Sequence, residues 1–235
     1  MLPIVIAPTY NNAGTLEHVL HRIIAMQIPL CVVNDGSTDD TQQILTGLHE
    51  SHPNVHVLIH QKNLGKAAAM LTGFHYATEH GFTHAITIDT DAQHDPEEIT
   101  LLIEAATYEP NNLIVGSRKD EEGRKPLRNR IGRSVSDFLT KLQTGRTLGD
   151  TQCGFRVYPL DVVNNIHCSS GRYNFETEFI IRAARAGVGI TQTPITSRYF
   201  DKSERVSHFR PFGDSLAAVC LHLRMLFDRR RGKRK

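Results

Sequence analysis

HAITIDTDAQHDPEE, residues 84–98, runs from an apolar stretch through three aspartates into a helix start. Residues 84–88 read as a short buried strand, because a β-branched apolar run stops abruptly at polar chain. Asp95-Pro96-Glu97-Glu98 reads as the helix start, with Asp as N-cap, Pro at the first helical position and Glu at the third. That accounts for Asp95. It leaves Asp89 and Asp91, two like charges one residue apart, which repel unless a cation lies with them. Mg²⁺ or Mn²⁺ suits such a pair, because these ions take a few carboxylates and complete their shell with phosphate oxygens and water. Gln93 adds a carbonyl oxygen. The competing reading is a polar turn with solvated acids; the position at a strand end favours the cation. His94 reads as a surface residue.

The same strand-then-polar-cluster pattern repeats on either side. Residues 3–7 (PIVIA), 30–33 (LCVV), 55–59 (VHVLI) and 112–116 (NLIVG) read as strands. Between them lie helical spacings: Leu16, Val19, Leu20, Ile23 and Ile24 after a Thr15 N-cap; Ile44, Leu45 and Leu48; an Ala-rich run from Lys66 to about residue 78; and residues 95–107. Alternating strands and helices predict an α/β fold, a mostly parallel sheet covered on both faces. Ligands of such sheets sit beyond the carboxyl ends of the strands. Polar clusters fall at five such ends: 8–12, 34–39, 61–66, 89–95 and 117–118.

Beyond residue 118 the pattern loosens. RKDEEGRKPLRNR (118–130) reads as a charged loop. A helix over 131–143, the segment GDTQCGFRVYP (149–159), a helix near 175–186 and a strand near 190–193 follow. Glu176 and Glu178 alternate with apolar residues near a helix start, where at least one of them stabilises the helix terminus. Cys153 reads as a small packing residue. Residues 214–228 read as a last helix, with Leu216, Val219, Cys220, Leu223, Leu226 and Phe227 on one side, followed by RRRGKRK. That segment either lies on an anionic membrane surface or packs on the core and ends in a solvated tail.

The totals exclude several classes. The chain has 235 residues, 40% of them hydrophobic, and a net charge of only +2, so it is expected to be globular and not a nucleic-acid binder. Its four cysteines form no CxxC pair, which argues against zinc. With no leader-like segment and no apolar run near the ~20 residues of a membrane span, a cytoplasmic setting is expected, with peripheral membrane contact or a membrane-protein partner. No GxGxxG follows the first strand, and NLGKA lacks the remaining residues of a P-loop: position 60 is His and position 67 is Ala. A phosphate ligand would therefore be held by a metal and side chains.

Taken in order, APTYNNAGTL, VVNDGSTDDT, NLGKAAA, IDTDAQHDP, GSR and GDTQCGFR resemble glycosyltransferase family 2, and most of all its dolichyl- or polyprenyl-phosphate mannosyl- and glucosyltransferases. The resemblance covers about residues 3–210. It implies a GT-A fold over residues 1–212, with a nucleotide-sugar half (1–116) and an acceptor half (117–212), before a C-terminal helix and basic tail (213–235). It also implies a GDP- or UDP-hexose donor, a lipid-phosphate acceptor, a divalent cation and inversion at the anomeric carbon. By position, Pro8, Tyr10, Asn12, Val33, Asp35, Lys66, Asp89 and Thr90 would line the nucleotide sugar. Asp89, Asp91 and Gln93 would hold the metal. Arg118 would meet donor or acceptor phosphate, joined on the acceptor side by Arg130 and Arg133, and Arg128 is a further candidate. Lys202, Arg205 and His208 would close over the diphosphate. Asp150 would be a base or an acceptor-orienting group; capping of a turn is its structural alternative. A catalytically silent nucleotide-sugar or lipid binder, and a transferase with another acceptor, remain as alternatives.

Overall fold

The computed structural model describes residues 1–118, 127–171, 174–196 and 218–227; over 127–133 the backbone alone is described. Its strands are β1 (Pro3–Thr9), β2 (Leu30–Asn34), β3 (Val55–Ile59), β4 (His84–Thr87), β5 (Leu113–Arg118), β6 (Arg156–Pro159) and β7 (Ile190–Ile195). Its helices are α1 (Ala13–Ala25), α2 (Thr41–Ser51), α3 (Lys66–Glu79), α4 (Ile99–Tyr108), α5 (Leu127–Thr144), α6 (Leu160–Asn165) and α7 (Asn174–Arg185). A further helix, α8, covers 218–227. The sheet order is β3-β2-β1-β4-β6-β5-β7. β1 pairs in parallel with β2 and β4, β2 with β3, and β5 with β7.

Alternation along β1 explains the two layers. Ile4 and Ile6 face a core shared with Met70, Phe74, Phe175 and Phe179 from α3 and α7. Val5 and Ala7 face a second core with Leu16, Leu20, Leu45 and Leu102 from α1, α2 and α4.

β6 departs from the sequence reading, which left GDTQCGFRVYP unassigned. It runs antiparallel to both β4 and β5, with Arg156 opposite Thr87 and Val115. An antiparallel strand begins where its parallel neighbours end. The segment before β6, residues 149–155, is thereby delivered to the same edge as the carboxyl ends of β1, β2, β4 and β5.

Local boundaries also shift. Thr15 is not the N-cap of α1; Asn12 holds that position, and Thr15 donates from Oγ1 to the Thr90 carbonyl at 2.7 Å. The α5 helix begins at Leu127 rather than 131. Asp95 caps as read, accepting from the Glu97 amide at 3.1 Å, but the first turn is a 3₁₀ turn (Pro96–Glu98) before α4.

Candidate active site

Three charged side chains from three elements meet at the carboxyl edge. Lys66, the first residue of α3, places Nζ 2.6 Å from Asp89 Oδ1, just past β4, and 2.9 Å from Glu176 Oε1, in the first turn of α7. Gly65 makes the approach: its φ of 95° is open to glycine but strained for other residues, and it turns the chain into α3 directly before Lys66. Gly154 leaves the room, since a Cβ there would lie 2.8 Å from Lys66 Nζ and 3.1 Å from Asp89 Oδ2. Burial opposes the charge on Lys66, but the Asp89 and Glu176 carboxylates outweigh it and raise its pKa above the ordinary lysine value. Burial likewise opposes charge on Asp89, and Lys66 outweighs it, holding that carboxyl below the usual range. Glu176 is 3% exposed, and its Oε2 has no hydrogen-bond partner among the described residues.

The loop after β4 is tightly wound. Ala92 takes a left-handed φ of 60°. The Asp91 carboxylate accepts from the Gln93 amide nitrogen at 3.1 Å and from its side-chain Nε2 at 2.8 Å. Thr90 is buried; its hydroxyl accepts from Asn12 Nδ2 at 2.9 Å and donates to Thr9 Oγ1 at 3.1 Å. Asn12 therefore reaches the aspartate loop through Thr90, and its Oδ1 lacks a partner among the described residues. Arg22 on α1 pairs with Asp95 at 2.5 Å and Glu97 at 2.8 Å, fixing the far end of the loop.

Other residues of the nucleotide set divide. Pro8 is buried at the end of β1 and Tyr10 is half-buried just past it. Val33 sends its side chain into the core, so a ligand there would meet its backbone. Asp35 accepts from His60 Nδ1 at 2.7 Å and from the amides of Leu64 at 2.9 Å and Gly65 at 2.7 Å. Its carboxylate thus holds together the loop that presents Lys66.

At the end of β5 Arg118 grips Asp150 with a fork: Nε to Oδ2 at 2.5 Å and Nη2 to Oδ1 at 2.6 Å, with its own amide adding a 3.1 Å bond. Asp150 is fully buried and has a left-handed φ of 58°, which aspartate tolerates better than most residues. Its backbone carbonyl accepts from the Cys153 amide at 3.1 Å, closing a turn, while its carboxylate is engaged by Arg118. Asp137 on α5 accepts from the Thr151 amide at 3.0 Å and hydroxyl at 2.7 Å.

Three residues carry more than their sequence suggested. His94 is buried at 5% exposure, not on the surface; its ring centre lies 5.3 Å from that of Phe155, and burial pushes its pKa down to about 4. Arg156 is fully buried and donates to three carbonyls, those of Cys153 at 2.6 Å, Thr151 at 2.7 Å and Glu176 at 2.8 Å. Glu178 is fully buried and accepts from the Ser169 and Ser170 amides, Arg182 and Arg224. Burial opposes its charge, but these donors outweigh it and hold the carboxyl below its ordinary range. Cys153 is a buried packing residue, as read. Glu176 does stand in a first turn, yet Lys66 is its partner. The alternation in NFETEF was the available signal for two buried acids. Lys202, Arg205 and His208 lie outside the described residues, as do the side chains of Arg128, Arg130 and Arg133.

The donor set at this edge suits a hard cation. Asp89, Asp91 and the Gln93 carbonyl are all oxygen donors. Among the described residues no group of three or more acids, histidines or cysteines is placed to hold a metal ion.

Comparison with known proteins gives the family and the fold. Residues 4–166 match glycosyl transferase family 2. The chain is 29% identical to undecaprenyl-phosphate mannosyltransferase of Micrococcus luteus, over 83% of each chain. It is 30% identical to polyprenol monophosphomannose synthase of Mycolicibacterium smegmatis, over 82% of this chain and 76% of that one. Its fold aligns with glucosyl-3-phosphoglycerate synthase from Mycobacterium tuberculosis, solved with Mn²⁺, UDP-glucose and phosphoglyceric acid. There the TM-score is 0.68 at 18% identity, covering 95% of this chain and 79% of the other.

Proposed function

The chain belongs to glycosyl transferase family 2, and from that premise we propose that it moves a hexose from a GDP- or UDP-hexose to a polyprenyl or dolichyl phosphate, with inversion at the anomeric carbon. The carrying observation is the meeting of oxygen donors and gripped cations at one sheet edge: Asp89 with Lys66 at 2.6 Å, beside the Arg118–Asp150 fork. The names of the two sequence relatives support a polyprenyl-phosphate acceptor.

Breaking the sugar–phosphate bond builds negative charge on the departing nucleoside diphosphate. Asp89, Asp91 and Gln93 would hold Mg²⁺ or Mn²⁺, which takes up part of that charge as a Lewis acid when bound. Lys66 keeps Asp89 ionised and in place. Pro8, Tyr10, Asn12, Val33, Asp35 and Thr90 shape the nucleotide side, Asp35 by holding the Lys66 loop and Val33 through its backbone. Lys202, Arg205 and His208 supply further positive charge over the diphosphate.

A phosphate acceptor is already anionic near neutral pH, its second pKa being roughly 6. Attack through a phosphate oxygen needs positioning more than proton removal. The fork on Arg118 supports an orienting role for Asp150 over a basic one: Asp150 fixes the guanidinium, and Arg118, Arg130 and Arg133 would supply positive charge for the acceptor phosphate. The reaction would run at the cytoplasmic face of a membrane.

A thermal-shift screen of GDP- and UDP-sugars with and without Mn²⁺, followed by glycolipid formation from the stabilising donor, tests this reading. Asp91→Ala is expected to lower kcat/KM by about 10²–10³-fold or more with little change in melting temperature. Full activity in that variant would remove the metal role, and donor binding without any turnover would favour a silent binding protein.

A further inference from the structure

We propose that α5 and α8 together form a surface that lies on an anionic lipid leaflet, an inference that takes its purpose from the lipid-phosphate acceptor proposed above. The first observation is that α5 is built inside out. Among its described side chains the buried positions are Ser136, Thr140 and Gln143, while Val135, Phe138 and Leu142 are 48%, 64% and 56% exposed. A helix on a water-facing surface turns its apolar stripe inward. Here the inward side is polar, and Thr140 Oγ1 and Gln143 Oε1 have no partner among the described residues. Burying such groups costs free energy, so inward burial does not explain the orientation.

The second observation is the neighbour. α8 touches α5 where Gln143 Nε2 donates to the His222 carbonyl at 2.9 Å. It buries Leu221, His222 and Met225 and leaves Val219 and Leu223 46% and 52% exposed. The orientation of α8 is fixed by hydrogen bonds: Arg185 donates to the Met225 carbonyl at 2.9 Å, and Arg224 donates to Glu178 at 2.9 Å and Ser170 Oγ at 2.8 Å. Val219 and Leu223 belong to the apolar side read from the sequence, and that side faces outward. Single exposed apolar residues are ordinary, but five on two touching helices mark an interaction surface.

Charge selects the occupant. The last seven residues, 229–235, read RRRGKRK, six bases with no acid, one residue beyond α8, and α5 carries Arg128, Arg130, Arg133 and Lys141 in its sequence. Basic residues this near in sequence to an exposed apolar face fit an anionic leaflet. A second copy of the chain would instead bring two basic tails together. No described helix is long and apolar enough to cross a membrane, so this surface would hold the protein by lying on the lipid. It also adjoins the site. Asp137, on the same helix as Phe138, accepts from Thr151 and from the Asp150 amide at 3.3 Å, and Asp150 holds Arg118. A lipid phosphate at the leaflet surface would therefore arrive close to the arginine fork.

The test is co-sedimentation of the full chain with vesicles of phosphatidylcholine alone or mixed with phosphatidylglycerol, without donor or acceptor. The wild type is expected to partition onto the anionic vesicles, less so at high salt. The triple variant Phe138→Ser, Leu142→Ser, Leu223→Ser is expected to bind them at least about tenfold more weakly. It should keep its melting temperature and its turnover of a water-soluble short-chain prenyl phosphate. A wild type that stays in the supernatant, or a triple variant that sediments like the wild type, would overturn the proposal. So would a wild-type dimer that the variant converts to monomer. Vesicle binding without turnover of any donor would sink the transferase reading and leave this surface standing.

Discussion

The two halves of the molecule solve the same problem differently. In the first half, β1 to β4 end in loops tied mainly by short polar side chains and backbone amides: Asn12 to Thr90, Thr15 to the Thr90 carbonyl, Asp35 to Leu64 and Gly65. In the second half, irregular chain is held by large charged groups taken out of water. Asp150, Arg156 and Glu178 are all fully buried. A regular βα alternation brings its loops to one edge by topology alone. The second half has no such repeat. It fixes its turns with buried charge, which is strong when fully partnered and costly when one partner is lost.

The largest expected effect breaks that second strategy. Arg156→Met leaves three interior carbonyls without their donor and should cost about 3–5 kcal/mol in chemical denaturation. A loss under ~1 kcal/mol would mean that the second half does not depend on this residue. A smaller effect probes the seam between the halves, where His94 of the aspartate loop packs on Phe155. Its folded pKa, pushed down to about 4 by burial, lies below the ordinary 6.5. The unfolded chain therefore binds the proton first as pH falls. The contribution is complete above about pH 6.5 and is lost as pH drops towards about 4, amounting to about 3 kcal/mol. His94→Leu should flatten stability over that window, and an unchanged pH profile would refute the assignment. The smallest effect belongs to the first half. Asp95→Ala removes one capping bond and the Arg22 pair, and should cost about 1 kcal/mol. If it cost as much as Arg156→Met, the contrast between the halves would fail.

Legibility follows the same division. Asp89 and Asp91 could be placed at a strand end because the apolar run before them and the Asp-Pro-Glu-Glu start after them are local patterns. The strand β6 could not, although DTQCGFR stood out as a motif. Its four residues carry no period long enough to tell an antiparallel insertion from loop, and its place is set by β4 and β5. His94 was read as exposed because histidine is common on surfaces and nothing adjacent in sequence announces Phe155, sixty-one positions away. Glu176 was read as a helix-terminal charge. That was right about its turn and silent about Lys66, which another strand end supplies.

The sequence by itself determined the alternation of strands and helices, the edge at which polar residues collect, the helix start at Asp95 and the family to which the ordered motifs belong. These depend on residue period, capping and spacing, which act over a few positions. The tertiary structure decided which charges meet: Lys66 with Asp89 and Glu176, Arg118 with Asp150, Arg156 with three carbonyls. It also decided that α5 turns its apolar side outward. A buried charge is stabilised by whatever group stands a few ångströms away, and only the crossing of distant segments determines which group that is.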